Sequence, residues 1–241
     1  GDVVAQSNWF IAPSHYLWHT EDSHNKGAYY HCLMSLAFRY LVEKQNNSST
    51  AAQWSVRVKS LIFNPTPDHI THPNWFIEQG IIYDDWTGKN FGERARAQRV
   101  IFLSILYDWL YDQLDATQRG QIQQKIIDDD AFTYTWINYN AGIRATFGRE
   151  DIHRLRVEHG TLALLLGAMS TYGENSNYPT SQADQDIAIA LNNQYTGALS
   201  QMNRYFSPYD GAELDGISYE LWLLYESVSI LEAWRQWDGV N

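Results

Sequence analysis

The stretch Lys26-Gly27-Ala28-Tyr29-Tyr30-His31-Cys32-Leu33-Met34-Ser35-Leu36-Ala37-Phe38-Arg39-Tyr40-Leu41-Val42-Glu43 decides the fold class. Its apolar side chains, Tyr29, Tyr30, Leu33, Met34, Leu36, Ala37, Tyr40 and Leu41, return at three- and four-residue spacing, the period of one helical face. Gly27 is expected to mark its start. Asn46-Asn47-Ser48-Ser49 then breaks the pattern. Ala51 to Phe63 sets Trp54, Val58, Leu61 and Ile62 on one side and stops at Asn64-Pro65-Thr66-Pro67, where each proline disfavours helix for the residue before it. Together the two runs predict a helical hairpin.

The same period continues outward. Residues 65–92 carry no period but are crowded with His69, His72, Trp75, Phe76, Tyr83 and Trp86, which suggests a long loop beside a groove. Helix is expected from Glu93 to about Leu114, with Val100, Leu103, Leu106, Tyr107, Leu110 and Tyr111 on its buried side. Thr117 is the expected cap of the next helix, to about Tyr134. Further helices are expected at Ile152 to Ser170, Gln182 to about Tyr205 and Ser218 to Trp237. No segment alternates with a period of two, so the fold class is all-α, built of antiparallel helix pairs. An irregular bundle and an α/α toroid both fit, and the lack of a fixed-period repeat argues against a tetratricopeptide-like solenoid. The 241 residues suit a single domain, opened by an aromatic and histidine-rich segment at 1–25.

Composition excludes several classes. With 44% hydrophobic and 19% charged residues the chain is that of a folded protein, and no apolar run approaches a membrane span. A net charge of −11 gives a broad nucleic-acid face no electrostatic basis. Local basic groups persist: Arg94, Arg96 and Arg99, then Arg144, Arg149, Arg154 and Arg156, can form a cleft for a carboxylated or sulfated ligand. The single Cys32 forms no internal disulfide. Aromatic residues make up 15% of the chain, more than packing alone requires, and suit a sugar-contacting groove. No phosphate loop, nucleophile elbow or paired CxxC is present.

Four clusters carry candidate chemistry. His15, His19, His24 and His31 stand among Trp18, Tyr16, Tyr29 and Tyr30; they suit a sugar-contacting wall or ordinary packing better than a metal, since the Glu of a zinc-protease motif is missing. Asp108 and Asp112 would share a helix face, as acid and base or as a solvated edge. Asp151-Ile152-His153-Arg154-Leu155-Arg156-Val157-Glu158-His159-Gly160-Thr161 precedes the most apolar helical run. A helix that apolar must be buried on most sides. Its polar start would then face a cavity, and a histidine at a helix start is favoured in the neutral form that suits a general base. The plain alternative is a salt-bridged cap joining Arg154 and Arg156 to Asp151 and Glu158. In the fourth cluster Asp210-Gly211 and Asp215-Gly216 signal turns, Ser218 can cap a helix, and Tyr219 sits in its first turn.

Taken in order, Tyr107-Asp108-Trp109-Leu110-Tyr111, His159-Gly160, and Arg204-Tyr205-Phe206 with Asp210-Gly211 and Asp215-Gly216-Ile217-Ser218-Tyr219 resemble the heparinase II/III-like polysaccharide lyases, whose architecture alginate and oligoalginate lyases share. The resemblance covers about Phe91 to Trp237. It implies an incomplete α/α toroid, the N-terminal domain of a longer chain whose β-sandwich is absent here, and a periplasmic or extracellular protein whose signal peptide has been removed. It implies cleavage of a uronic-acid-containing polysaccharide by β-elimination, with no cofactor in this part of the chain; a structural divalent metal belongs to the missing C-terminal part. By position, Tyr219 matches the family's tyrosine and serves as acid or as both acid and base, while His159 matches the histidine of an Asn-His-Gly pattern. Glu158 stands where Asn is expected, and a carboxylate there repels that of the substrate. Arg154 or Arg156 then supplies the neutralising charge, or His153 is the true counterpart, or the chemistry is lost. Trp75, Trp86, Tyr139, Tyr209 and Glu213 are the expected groove lining.

Two other classes stay open. A glycoside hydrolase would pair Glu213 or Asp215 with Asp84, Asp85 or Asp108 across about 5–10 Å. A non-catalytic glycan-binding domain would need only the aromatic groove.

Overall fold

The computed structural model describes residues 23–63, 92–128, 154–192, 228 and 231–237, excepting the side chains at 23–32, 92–99 and 154–159. These residues form helices α1 (Ser23–Gln45), α2 (Ala51–Phe63) and α3 (Gly92–Leu110), a 3₁₀ turn at Tyr111–Gln113, α4 (116–128), α5 (Arg154–Ser170), α6 (Thr180–Asn192) and α7 (231–237). Among the described residues there is no strand, and the chain is all-α there. No described helix is long and apolar enough to cross a membrane.

Two compact units emerge: Gly1–Gly92 with Phe102–Lys125, and Glu93–Ile101 with Ile126–Asn241. In the first, α1 packs on α2 as the expected hairpin. Leu33, Leu36, Ala37 and Tyr40 of α1 are buried, as are Trp54, Val58, Leu61 and Ile62 of α2. The turn between them is a Schellman motif. Ser48 N–H donates to Glu43 O at 2.8 Å and Asn47 N–H to Lys44 O at 3.0 Å. Asn47 takes φ 54°, a left-handed conformation that asparagine tolerates better than most residues. Gly27 falls inside α1 instead of at its start. One interior glycine costs about 1 kcal/mol, which a helix with a long buried stripe absorbs.

The end of α3 departs from the sequence pattern. The α-helix stops at Leu110, and Tyr111–Gln113 tighten into a 3₁₀ turn. Tighter winding turns Tyr111 off the buried stripe, and it is 42% exposed although its spacing predicted burial. The cap of α4 is also not Thr117. Gln118 N–H donates to Asp115 Oδ1 at 2.8 Å while Asp115 N–H donates to Gln118 Oε1 at 3.2 Å, a reciprocal capping box. Asp115 and Gln118 have the one-to-four spacing this device needs, whereas Thr117 lies already inside the first turn.

In the second unit α5 packs on α6. Thr161, Ala163, Leu164, Leu165 and Ala168 are almost wholly buried, so α5 is covered on nearly every side, as its apolarity predicted. Leu162, Leu164, Leu165, Ala190 and Leu191 form one cluster, joined by Ile101, Leu231 and Trp234. Ala168, Tyr178 and Ala183 form a second, against Ile127, Tyr172 and Ile187. After α5, Gly173 adopts φ +72°, and Thr171 Oγ1 donates to Gly167 O at 2.8 Å, which answers a carbonyl near the helix end. α6 starts directly after Pro179, whose carbonyl accepts Ala183 N–H at 3.1 Å, two residues earlier than the expected start at Gln182.

Candidate functional site

The candidate site begins at the first turns of α5. Arg154, Arg156, Glu158 and His159 are all helical there, with Arg154 opening the helix. At 100° per residue Arg154 and Glu158 share a face, one turn apart, and Arg156 and His159 share another. From Gly160 to Ala168 the helix is buried except at half-buried Leu166, so these four positions stand on the end of a packed rod. Such a mounting suits groups that must hold a substrate in one orientation. His153, Tyr219, Trp75, Trp86, Tyr139, Tyr209 and Glu213 lie outside the described residues, as do Asp84, Asp85, Asp215 and the histidines at 15 and 19, whereas His24 and His31 fall in α1.

The string Tyr107-Asp108-Trp109-Leu110-Tyr111 is described in full. Tyr107 is buried, and its hydroxyl accepts a 2.7 Å hydrogen bond from Gln123 Nε2 on α4. Its ring meets Tyr111 edge-on with centroids 5.4 Å apart, while Trp109 lies 5.9 Å from Phe38 of α1. Asp108 is exposed. Asp112 is tied down: Tyr40 Oη donates to its Oδ1 at 3.1 Å and to its Oδ2 at 3.2 Å, and Lys44 Nζ donates to Oδ2 as an ion pair. Burial raises the Asp112 carboxyl, but the hydrogen bonds from Lys44 and Tyr40 outweigh it and hold the carboxyl below its ordinary value. Because α3 ends at Leu110, Asp108 and Asp112 do not share one helix face, and Asp112 fastens α1 to the end of α3.

Three polar clusters escaped the sequence reading. One is the tie of Tyr40, Lys44 and Asp112. Another centres on Glu43, whose carboxylate accepts from Arg39 Nε at 2.9 Å, from Ser48 Oγ at 3.3 Å and from Thr50 Oγ1. Arg39 stacks 3.7 Å above the Trp54 ring. Burial pulls the Glu43 carboxyl up, but the hydrogen bonds from Thr50 and Arg39 prevail and lower it to about 2. The third is Asp186, which is 5% exposed on α6. Tyr178 Oη donates to its Oδ2 at 2.5 Å and Gln182 Nε2 to its Oδ1 at 2.9 Å. A signal existed for this one: Ala183, Asp186, Ile187 and Ala190 have helical apolar spacing, and a carboxylate within such a stripe marks a buried charge. Among the described residues no three His, Cys, Asp or Glu groups lie close enough to hold a metal ion.

Comparisons with protein-family models, with curated proteins and with solved structures return no match.

Proposed function

We propose that this chain is the α/α-toroid portion of a lyase that cleaves a uronic-acid-containing polysaccharide by β-elimination. The observation that carries the reading is α5: two arginines, a glutamate and a histidine on the opening turns of a helix that is mostly buried from Gly160 on. Polar residues at the head of a packed helix, in a chain of net charge −11, give an anionic sugar one local place to dock. The motif order that resembles the heparinase II/III-like lyases supports the same reading.

In this mechanism Arg154 or Arg156 pairs with the uronate carboxylate. That pairing stabilises the negative charge that develops on the carboxylate as the C5 proton leaves. His159 or Tyr219 accepts the C5 proton, the C4–O4 bond breaks, and Tyr219 protonates the departing O4, leaving a C4–C5 double bond on the new non-reducing end. Glu158 sits one turn after Arg154 on the same face, where the arginine can offset its charge.

The experiment is ultraviolet absorbance on alginate, heparan, hyaluronan and chondroitin, with wild type beside Tyr219→Phe and His159→Ala. A rising signal that falls about 100-fold or more in Tyr219→Phe supports elimination with an acid-base tyrosine. Reducing ends released without absorbance would make the protein a hydrolase, and binding without either product would make it a glycan-binding domain.

A further inference from the structure

Asp186 is a buried carboxyl group whose hydrogen-bond donors among the described residues are neutral. Its partner Tyr178 belongs to the cluster that also holds Ala168 of α5 and Ala183 of α6, against Ile127 of α4. The groups that act on it are the Tyr178 hydroxyl and the Gln182 amide. Among the described residues, Ile127, Tyr172 and Ile187 pack against that cluster, and the Tyr172 hydroxyl donates to Asp184 at 2.8 Å. Two donors favour the charged form, but the loss of water around a lone buried charge opposes it.

We propose that Asp186 is an acid-responsive fastening of the α5–α6 hairpin, which takes up one proton on mild acidification and is more stable for it. Protonated, the carboxyl is neutral, so burial no longer counts against it. Its new O–H has the Tyr178 hydroxyl oxygen as acceptor, already at 2.5 Å. Burial, the largest influence, raises this carboxyl above its ordinary value despite the bonds from Tyr178 and Gln182. The folded state therefore binds the proton more tightly than the unfolded chain does. Stability from this group is greatest at low pH and is lost as pH rises through the folded value. The inference stands independently of the lyase reading.

The test is thermal unfolding of the full chain in steps from about pH 4 to pH 7, wild type beside Asp186→Asn, with the Asp186 carboxyl followed by carbon NMR in wild type. Asn mimics the neutral form at every pH. The midpoint of wild type should fall relative to the variant as pH rises, and the carboxyl should titrate above about 3.9. A midpoint difference that is flat or of the opposite slope overturns the proposal, as does a carboxyl that titrates in or below the ordinary range. If Asp186→Asn does not fold, Gln182→Met replaces it, which removes the amide that donates to the carboxylate and leaves Tyr178 in place. Losing a donor to the charged form must move the titration further up, and an unmoved or lowered titration counts against the fastening.

Discussion

Glu43 joins three side chains from the α1–α2 turn and its flanks, Arg39, Ser48 and Thr50, to one carboxylate. Its folded value of about 2 lies below the ordinary 4.5, so the unfolded chain binds the proton more readily between those limits. The stabilisation is therefore complete above about pH 4.5 and is lost as pH falls toward 2. Glu43→Gln should flatten the acid side of the stability profile, measured as urea midpoints from neutral pH down to about 3. Parallel curves for the two proteins would show that the carboxylate is not held by its neighbours. Asp186 has the opposite sign, and the contrast is physical: Glu43 sits beside the cationic Arg39 in a half-buried turn, whereas the donors to buried Asp186 among the described residues are neutral. Spacing carried a signal for Asp186, which interrupts an apolar stripe, but none for the Glu43 tie. The α1 pattern reveals which residues are apolar, but only the folded turn brings Thr50 back onto Glu43.

At the level of elements, two glycines make opposite predictions. Gly120 lies in α4 with nothing within 4 Å of the position a Cβ would take. Gly120→Ala should raise stability by about 0.5–1 kcal/mol, because alanine loses less backbone freedom on folding. Gly173, at φ +72°, has room for a Cβ but not the backbone for one. Gly173→Ala should lower stability by about 1–2 kcal/mol, and thermal midpoints of the two variants should move in opposite directions. The α4 cap separates in the same way: Asp115→Ala should cost about 1 kcal/mol and Thr117→Ala much less, since only Asp115 accepts from the Gln118 amide. The helices themselves were legible. Leu33, Leu36, Ala37 and Tyr40, and Trp54, Val58, Leu61 and Ile62, are all buried where periodicity placed them. Ends were less legible, because a cap or a 3₁₀ turn depends on one or two hydrogen bonds and periodicity averages over a whole face. Tyr111 shows this: one tighter turn after Leu110 moved it off the stripe. Of the candidate site, the helical setting of Arg154, Arg156, Glu158 and His159 was legible, since the apolar run behind them fixed where a helix had to be.

For the molecule as a whole, the net charge of −11 sets how an anionic polysaccharide would approach. At about 0.01 M salt the screening length is about 30 Å, so a polyanion would meet the charge of the entire chain and be repelled. At about 0.15 M it is about 8 Å, and an approaching uronate would respond mainly to groups near its docking point, Arg154 and Arg156 in the proposed site. For a uronate-cleaving enzyme of this charge, kcat/KM should therefore rise on first adding salt and fall only when the screening length shortens to that of the local ion pair. The ascending limb comes from whole-chain repulsion, so Arg154→Gln and Arg156→Gln should retain it while lowering the maximum and removing the descending limb. Kinetics of an anionic oligosaccharide across a salt series from about 0.01 to 0.5 M measure both limbs. A monotonic fall from the lowest salt upward would mean that local arginines outweigh the acidic body at every distance. A profile without salt dependence would mean that the ligand is uncharged, which points to a neutral glycan and to the hydrolase or glycan-binding alternatives.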